Sequence, residues 1–396
     1  MKLSFSLHRS IGTAVFLFAA FFSLFPLSTR SEILPPPIMA KAWAIVDVTS
    51  GQVLAAENFD LRVEPASLTK IMTTYLVFEA LKDKRISMEQ LVLPSESVRK
   101  VGRDESRTFI EVGKPVRVDD LVYGMVIQSG NDASVALAEL VGGSQANFVE
   151  LMNRCAKRLG LKNTNYTNVD GLTDPRHYTS VSDLSVLATH IIKDFPEYYS
   201  IHALKSFTYN NIWQPNRNRL LTLDPTVDGL KTGHTKEAGY CLVSSASRPL
   251  LNESGLTRRI LSIVVGEPTE HARVQDSLLA INYAYQNFDT RRIYRANQVV
   301  AMPKLWKGKV GKLQVGTKHD QFITVPKGTA DKIKSELEFH GPLIAPLTDG
   351  AIVGTIKVFT NGKKLTEFPV VALTGVVQAG ILGRTWDSLR LMFIKK

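Results

Sequence analysis

Ser67 and Lys70 stand three residues apart in Ser67-Leu68-Thr69-Lys70, and residues at that spacing on a helix share a face. The amine can then reach the hydroxyl and take its proton, which makes the serine a nucleophile for acyl transfer. A serine at the first turn has a second advantage. Backbone N–H groups there lack intrahelical partners, and with the positive end of the helix dipole they suit an oxyanion forming on an attacked carbonyl. Lys70 must be neutral to act as the base. Moving an amine from about 10.4 to near 7 requires roughly 4 to 5 kcal/mol against its ammonium form, which burial and a neighbouring cation can supply.

The spacing alone is weak, because Ser97-Val98-Arg99-Lys100 repeats it inside a polar stretch without apolar periodicity, where a surface position is expected. Two further clusters favour the first copy. Ser129-Gly130-Asn131 precedes a helical pattern over 132–140, and Lys231-Thr232-Gly233 precedes a strand-like run. Read alone, Ser-Gly-Asn is also a plausible helix cap. Lys231 is the candidate neighbouring cation, and its charge would attract a carboxylate at the end of a substrate.

These residues need elements to hold them. Pro65 sits where a helix begins, and Leu68, Ile71, Met72, Tyr75, Leu76 and Phe78 recur at helical spacing, so a buried helix over 67–81 carries Ser67 at its start. Residues 40–56 read as a hairpin turning at Thr49-Ser50-Gly51. Helical patterns cover 118–140 and 145–159; alternating segments at 240–245 and 259–265 predict neighbouring strands, and a helix over 274–288 would pack on them. Beyond Asp289 short alternating runs, with a hairpin signal at Asn361-Gly362, predict a small β domain. The fold class is therefore α+β, a helical cluster plus an antiparallel sheet, followed by a small all-β domain.

The three clusters, in this order and separation, match the signature of penicillin-binding proteins and class A β-lactamases. Within that group the chain resembles the low-molecular-weight D-alanyl-D-alanine carboxypeptidases, on the stretches QPNRNRLL, VDGLKTGHT and GILGRTWDSL and over nearly the whole mature chain. Two departures separate it from β-lactamases: Gly130 stands where that class carries Asp, and no Glu-x-x-Leu-Asn loop follows to hold a deacylating glutamate. The resemblance implies a β-lactamase/transpeptidase-like fold and removal of the last D-alanine from peptidoglycan stem peptides, with penicillin bound covalently at the same serine. It implies that Ser129 relays a proton to the leaving amine and that Asn131 holds the substrate amide. The backbone N–H groups of Ser67 and of His234, next to Gly233, form the oxyanion hole by the same resemblance. Thr232, Arg217 and Arg273 grip the terminal carboxylate.

The first residues belong to no core. Lys2, His8 and Arg9 precede an apolar stretch over 11–27, followed by small and polar residues, which is an export signal ending near residue 31. The formal charge of +11 would suit nucleic acid, but export removes that partner and leaves anionic lipid headgroups and acidic wall polymers. Cys155 and Cys241 are expected to be unpaired, Cys155 lying on the buried stripe Phe148, Leu151, Met152, Leu159. No metal or organic cofactor is implied, since there is no His-Glu-x-x-His and no phosphate-cradling glycine loop.

At the carboxyl end Leu382, Trp386, Leu389 and Phe393 form one helical stripe with Arg384, Asp387, Ser388 and Lys395 mostly opposite. Such a helix can lie in a membrane interface on the periplasmic side of the bacterial inner membrane, as related carboxypeptidases do, or pack on the second domain. The expected divisions are an export signal at 1–31, a catalytic domain at 32–288, a β-rich domain at 289–378 and an anchor helix at 379–396. Two other readings use the same residues. One is a β-lactamase, transpeptidase or DD-endopeptidase on the same site; the other is a non-catalytic wall-binding or shape-maintaining protein.

Overall fold

The computed structural model describes residues 33–250 and 253–393. The expected export signal at 1–31 and the last three residues of the expected anchor segment 379–396 lie outside them.

The chain opens with the expected hairpin, β1 (Ala42–Asp47) and β2 (Gln52–Glu57). A 3₁₀ turn at Ala66–Thr69 leads into α1 (Lys70–Lys82), and α2 (Asn131–Gly142), α3 (Gln145–Arg158) and α4 (Val181–Asp194) complete the helical cluster. Three long strands follow, β3 (Val227–Thr235), β4 (Gly239–Pro249) and β5 (Thr257–Glu267), and then α5 (Glu270–Asn287). The sheet runs β2-β1-β5-β4-β3, every neighbouring pair antiparallel. Its central strands are covered on both faces. Cys241 and Val243 of β4 join the core under the helical cluster, whereas Leu242 and Ala246 pack with Val274 and Ile281 of α5, the alternation a pleated strand imposes.

α1 is buried nearly all round, from Ile71 to Phe78, which a central helix requires. Two local expectations change. The helix proper starts at Lys70, so Ser67 sits in the 3₁₀ turn before it. The pattern over 118–140 is also not one helix: a π-helical stretch at Gly124–Gln128 ends at Ser129, whose φ of 68° is left-handed, and a new helix starts at Asn131. Cys155 and Cys241 are both free and buried, and burial pushes each thiol up to about 11.

The carboxyl-terminal region begins where α5 ends. A ribbon pairs β6 (Phe288–Tyr294) with a later strand, and a five-stranded sheet contains β7 (Val299–Ala301) and β8 (Val315–Gly316). β9 (Gln321–Pro326) is the partner of β6, and β10 (Ile333–Phe339), β11 (Ile352–Thr360) and β12 (Lys363–Ala372) complete the sheet in the order β7-β8-β12-β11-β10. Its core holds Leu313, Val315, Ile323, Val325, Ile356 and Val370. Asn361 and Gly362 both take positive φ, as a two-residue hairpin turn requires. The chain then forms α6 (Ile381–Met392).

One buried carboxylate ties these parts. Asp47, at the end of β1, pairs with Arg258 of β5 at 2.8 Å and accepts from the hydroxyls of Thr290 on β6 and Thr324 on β9 at 2.7 and 2.8 Å. Its other oxygen accepts the N–H groups of Thr49 and Ser50, closing the β1–β2 turn. Removing one member of a buried pair strands the other charge. Asp47→Ala should therefore cost about 3–5 kcal/mol in urea unfolding. An unchanged unfolding midpoint would show that this junction is not a stabilising tie.

Candidate active site

Ser67 opens onto a cleft of about 1000 Å³ between the helical cluster and the β3 edge of the sheet. Ala66 before it has a φ of 47°, a conformation that L residues adopt at a cost and that turns the serine outward from the start of α1. Lys70 lies beneath with no exposed surface. Its Nζ is 2.9 Å from Ser67 Oγ and donates to Asn131 Oδ1 at 2.6 Å and to the Asp170 carbonyl at 2.8 Å. A neutral amine has two hydrogens and one lone pair. The two carbonyl oxygens account for the hydrogens, and the lone pair is left for the serine hydroxyl. Burial lowers Lys70 to about 8; Asp170 and Glu105 oppose that shift, and the Arg217 charge assists it.

Asn131, the first residue of α2, is held at both ends, since its Nδ2 donates to Glu105. Glu105 comes from a loop fastened from below by Asp132, whose carboxylate accepts the N–H groups of Thr108, Phe109 and Ile110 at 2.8, 2.8 and 3.2 Å. The side chain expected to hold a substrate amide therefore first orients Lys70, with one Nδ2 hydrogen left over.

Across the cleft, Lys231 on β3 donates to Ser129 Oγ at 2.8 Å and to its neighbour's carbonyl, Thr232 O, at 2.9 Å. Lys231 is also buried, and burial followed by the charges of Lys70, Arg217 and Arg273 pushes it well below the usual lysine range. Burial is the first cause of both shifts; the two amines disfavour each other's charge, and Arg217 adds to both. Thr232 and Gly233 continue along β3, with Gly233 directly against Pro65 and Leu68 of the nucleophile turn. The His234 ring stacks on Tyr240 with centroids 4.0 Å apart, and the residue lines the cleft next to Gly233.

The two arginines differ. Arg217 is exposed on the cleft wall. Arg273, on α5, is buried and has its guanidinium engaged: Nη1 donates to the carbonyls of Gly233 and Cys241 at 3.4 and 3.5 Å, and Nη2 meets Glu270 at 3.3 Å. It braces β3 and β4 as well as lining the cleft. Ser97 and Lys100 lie apart from all this in a short 3₁₀ turn, with Lys100 exposed, as expected.

Sequence reading missed Glu105, Asp132 and Asp170. The first two lie in or beyond a charged stretch without periodicity. Asp170-Gly171 carried the one usable signal, a turn dipeptide. Gly171 has φ +94°, and a Cβ there would stand 1.8 Å from Ala66 O, so the loop reaches Lys70 only because residue 171 has no side chain.

A lysine amine on a serine hydroxyl, with a second lysine on a second serine across a cleft, is the arrangement of a serine acyl-transferase. A family model described as D-alanyl-D-alanine carboxypeptidase matches residues 29–269, and one described as penicillin-binding protein 5, C-terminal domain, matches residues 288–378. The D-alanyl-D-alanine carboxypeptidase DacA of Haemophilus influenzae is 39% identical over 390 residues, covering 96% of this chain and 97% of the relative. The crystal structure of penicillin-binding protein 5 from Haemophilus influenzae, 39% identical, superposes with a TM-score of 0.82 over 88% of this chain and 100% of that one. Penicillin-binding protein D2 from Listeria monocytogenes in an ampicillin-bound form is 29% identical, with a TM-score of 0.56 over 64% of this chain and 99% of that one. The chain belongs to the D-alanyl-D-alanine carboxypeptidase family, and it is a serine-type carboxypeptidase of the low-molecular-weight penicillin-binding protein group.

Gly130 now has a physical account. A Cβ there would lie 2.1 Å from Thr108 Oγ1 and 2.9 Å from Thr108 N, so the aspartate of β-lactamases does not fit. Gly130→Ala should cost about 1–3 kcal/mol by overpacking and lower D-alanine release, because it displaces Ser129 and Asn131 on either side. Thr108→Ala in the same chain should recover part of the stability; thermal melting of the three variants checks both, and a wild-type melting point for Gly130→Ala would refute the packing account.

Proposed function

We propose that Ser67 attacks the carbonyl between the two D-alanines of a peptidoglycan stem pentapeptide, with neutral Lys70 as the base. The observation that carries this reading is the Lys70 amine, buried, 2.9 Å from Ser67 Oγ and with both its hydrogens committed elsewhere. The hydroxyl proton goes to Lys70 Nζ as the Oγ–C bond forms, and the N–H groups of Ser67 and His234 hold the oxyanion. Ser129, hydrogen-bonded to Lys231, passes its hydroxyl proton to the leaving nitrogen and regains one from the Lys70 ammonium, which is neutral again as the C–N bond breaks and D-alanine departs. Water then attacks the ester, Lys70 takes its proton, and the shortened peptide leaves while Ser67 Oγ is reprotonated.

The substrate ends in a carboxylate, which selects the cationic side of the cleft. Thr232, Arg217 and Lys231 would bind it, with Arg273 fixing β3 behind them. An arriving anion raises Lys231 from its depressed state, so the ammonium that holds the substrate is stabilised by the substrate itself. A β-lactam presents a similar carboxylate and a strained amide. The ampicillin-bound form of the Listeria relative supports its reaction with the same serine.

The division into 32–288, 289–378 and 379–396 is proposed with these roles: catalysis, positioning, and attachment. Residues 1–31 would direct export to the periplasm. The outward apolar face of α6, with Leu382, Trp386 and Phe393 exposed, supports peripheral attachment to the inner membrane.

A chain lacking residues 1–31, incubated with a peptide ending in D-Ala-D-Ala, should release free D-alanine, and Ser67→Ala should lose at least about a thousandfold of that rate. Penicillin should label the wild type on the peptide containing Ser67 and leave the variant unlabelled. Equal D-alanine release from the variant would overturn the assignment of the nucleophile.

A further inference from the structure

Between Asp289 and Asp320 the chain has no acidic residue and eight lysines and arginines. Four of them, Lys304, Lys307, Lys309 and Lys312, share one loop, closed at its base by a β-bridge between Lys304 and Lys312. The terminal helix α6 is seated on this loop. The Lys307 N–H donates to Asp387 Oδ2 at 2.6 Å, the Lys309 N–H donates to Val377 O at 3.1 Å, and the Ala379 N–H donates to Lys307 O at 2.8 Å. Lys304 Nζ stands 3.4 Å from the Trp306 ring centroid and the Arg390 guanidinium 6.0 Å from the same ring, so loop and helix place cations around one indole.

The helix has chosen its faces. Arg384, Asp387, Ser388 and Leu391, three and four residues apart, are its half-buried side. The opposite stripe is open, with Leu382, Trp386, Leu389 and Phe393 at 88, 64, 50 and 85% exposure. Met302, Val310 and Val377, also exposed, stand among the lysines at the foot of the helix. A helix lying in a bilayer interface sinks its apolar face to the acyl boundary, which brings whatever supports it to within a Debye length of the headgroups. Lysines can lay their stems on apolar surface and hold the ammonium at phosphate depth.

We infer that the loop 304–312 is a second membrane contact, one that binds the phosphate headgroups of anionic phospholipids and so fixes which face of the β domain meets the bilayer. This rests on the membrane reading above and adds to it a lipid class and a docking orientation. Charge complementarity and the exposed apolar residues set among the lysines argue for a bilayer over a soluble acidic polymer, which would leave Met302, Val310 and Val377 unused. Juxtamembrane lysines each strengthen binding to an anionic surface by about fivefold, so four are a large share of the attachment.

The test uses the chain lacking residues 1–31, sedimented with vesicles of phosphatidylglycerol and phosphatidylcholine in equal parts, or of phosphatidylcholine alone. The fourfold variant Lys304→Gln, Lys307→Gln, Lys309→Gln, Lys312→Gln should bind the anionic vesicles at least about thirtyfold more weakly and the neutral ones as the wild type does, with D-alanine release unchanged. The corresponding fourfold Lys→Arg variant should keep its binding, which separates loss of charge from loss of fold. Wild-type affinity of the Gln variant for anionic vesicles, or loss in the Arg variant, would overturn the inference. So would a Gln variant that loses binding to soluble polyphosphate and keeps it to vesicles, which would assign the lysines to an acidic polymer. Deleting residues 379–396 separates the two readings: if deletion leaves binding to the anionic vesicles intact while the Gln variant loses it, the helix is no anchor and the lysine surface stands.

Discussion

A lysine with no exposed surface must either find a counter-charge or give up its own, and this fold provides Lys70 with neutral acceptors only at contact distance. The Asn131 amide oxygen and the Asp170 carbonyl take its hydrogens, and Ser67 takes what remains. The three partners come from three unrelated stretches of chain, so the neutral amine exists only when the whole domain is assembled. Carboxylates are near enough to oppose the shift without reaching the amine, which leaves Lys70 at about 8, where proton release and uptake are both accessible.

The same economy explains the cleft's other wall. Lys231 is buried on β3 against Ser129, and two buried amines in one site resist being charged together. An empty site therefore holds less positive charge than its count of lysines suggests. In the proposed mechanism a substrate carboxylate would change that balance and couple recognition of the peptide's end to the protonation state of the two lysines. Arg273 contributes from behind by donating to carbonyls of β3 and β4, and Asp47, paired with Arg258 inside the sheet, ties it through Thr290 and Thr324 to the β domain that follows.

Local chemistry was legible where it is local. Ser67 and Lys70, Ser129 to Asn131, and Lys231 to Gly233 announce themselves by spacing, and the hairpin at 42–57, the strands β4 and β5 and the turn at Asn361-Gly362 follow from alternation and turn residues. The loop carrying Glu105 was not legible, because what shapes it is Asp132, more than twenty residues away, accepting three N–H groups that have no signature in the sequence. Asp170 acts through its backbone carbonyl, which every residue possesses. The apolar period runs through Ser129 because the residues on both sides of the break remain buried, and the period reports burial, not continuity; the Ser-Gly-Asn run ahead of 132–140, readable as a helix cap, was the signal that marked the break. The orientation of α6 was open for the same kind of reason. Periodicity defines two faces, and contact with Lys307 and Trp306 decides which one is turned inward.

The proposed chemistry needs Lys70 as a neutral base, and its most direct test is kcat/KM for D-alanine release between pH 6 and 10. Below about pH 8 the amine of the free enzyme is mostly protonated and cannot accept the Ser67 proton; raising the pH frees it. The rate should rise about tenfold per pH unit well below that value and level off above it. A profile that is flat or falling between pH 6.5 and 8.5 would contradict a Lys70 that must lose its proton before Ser67 can react.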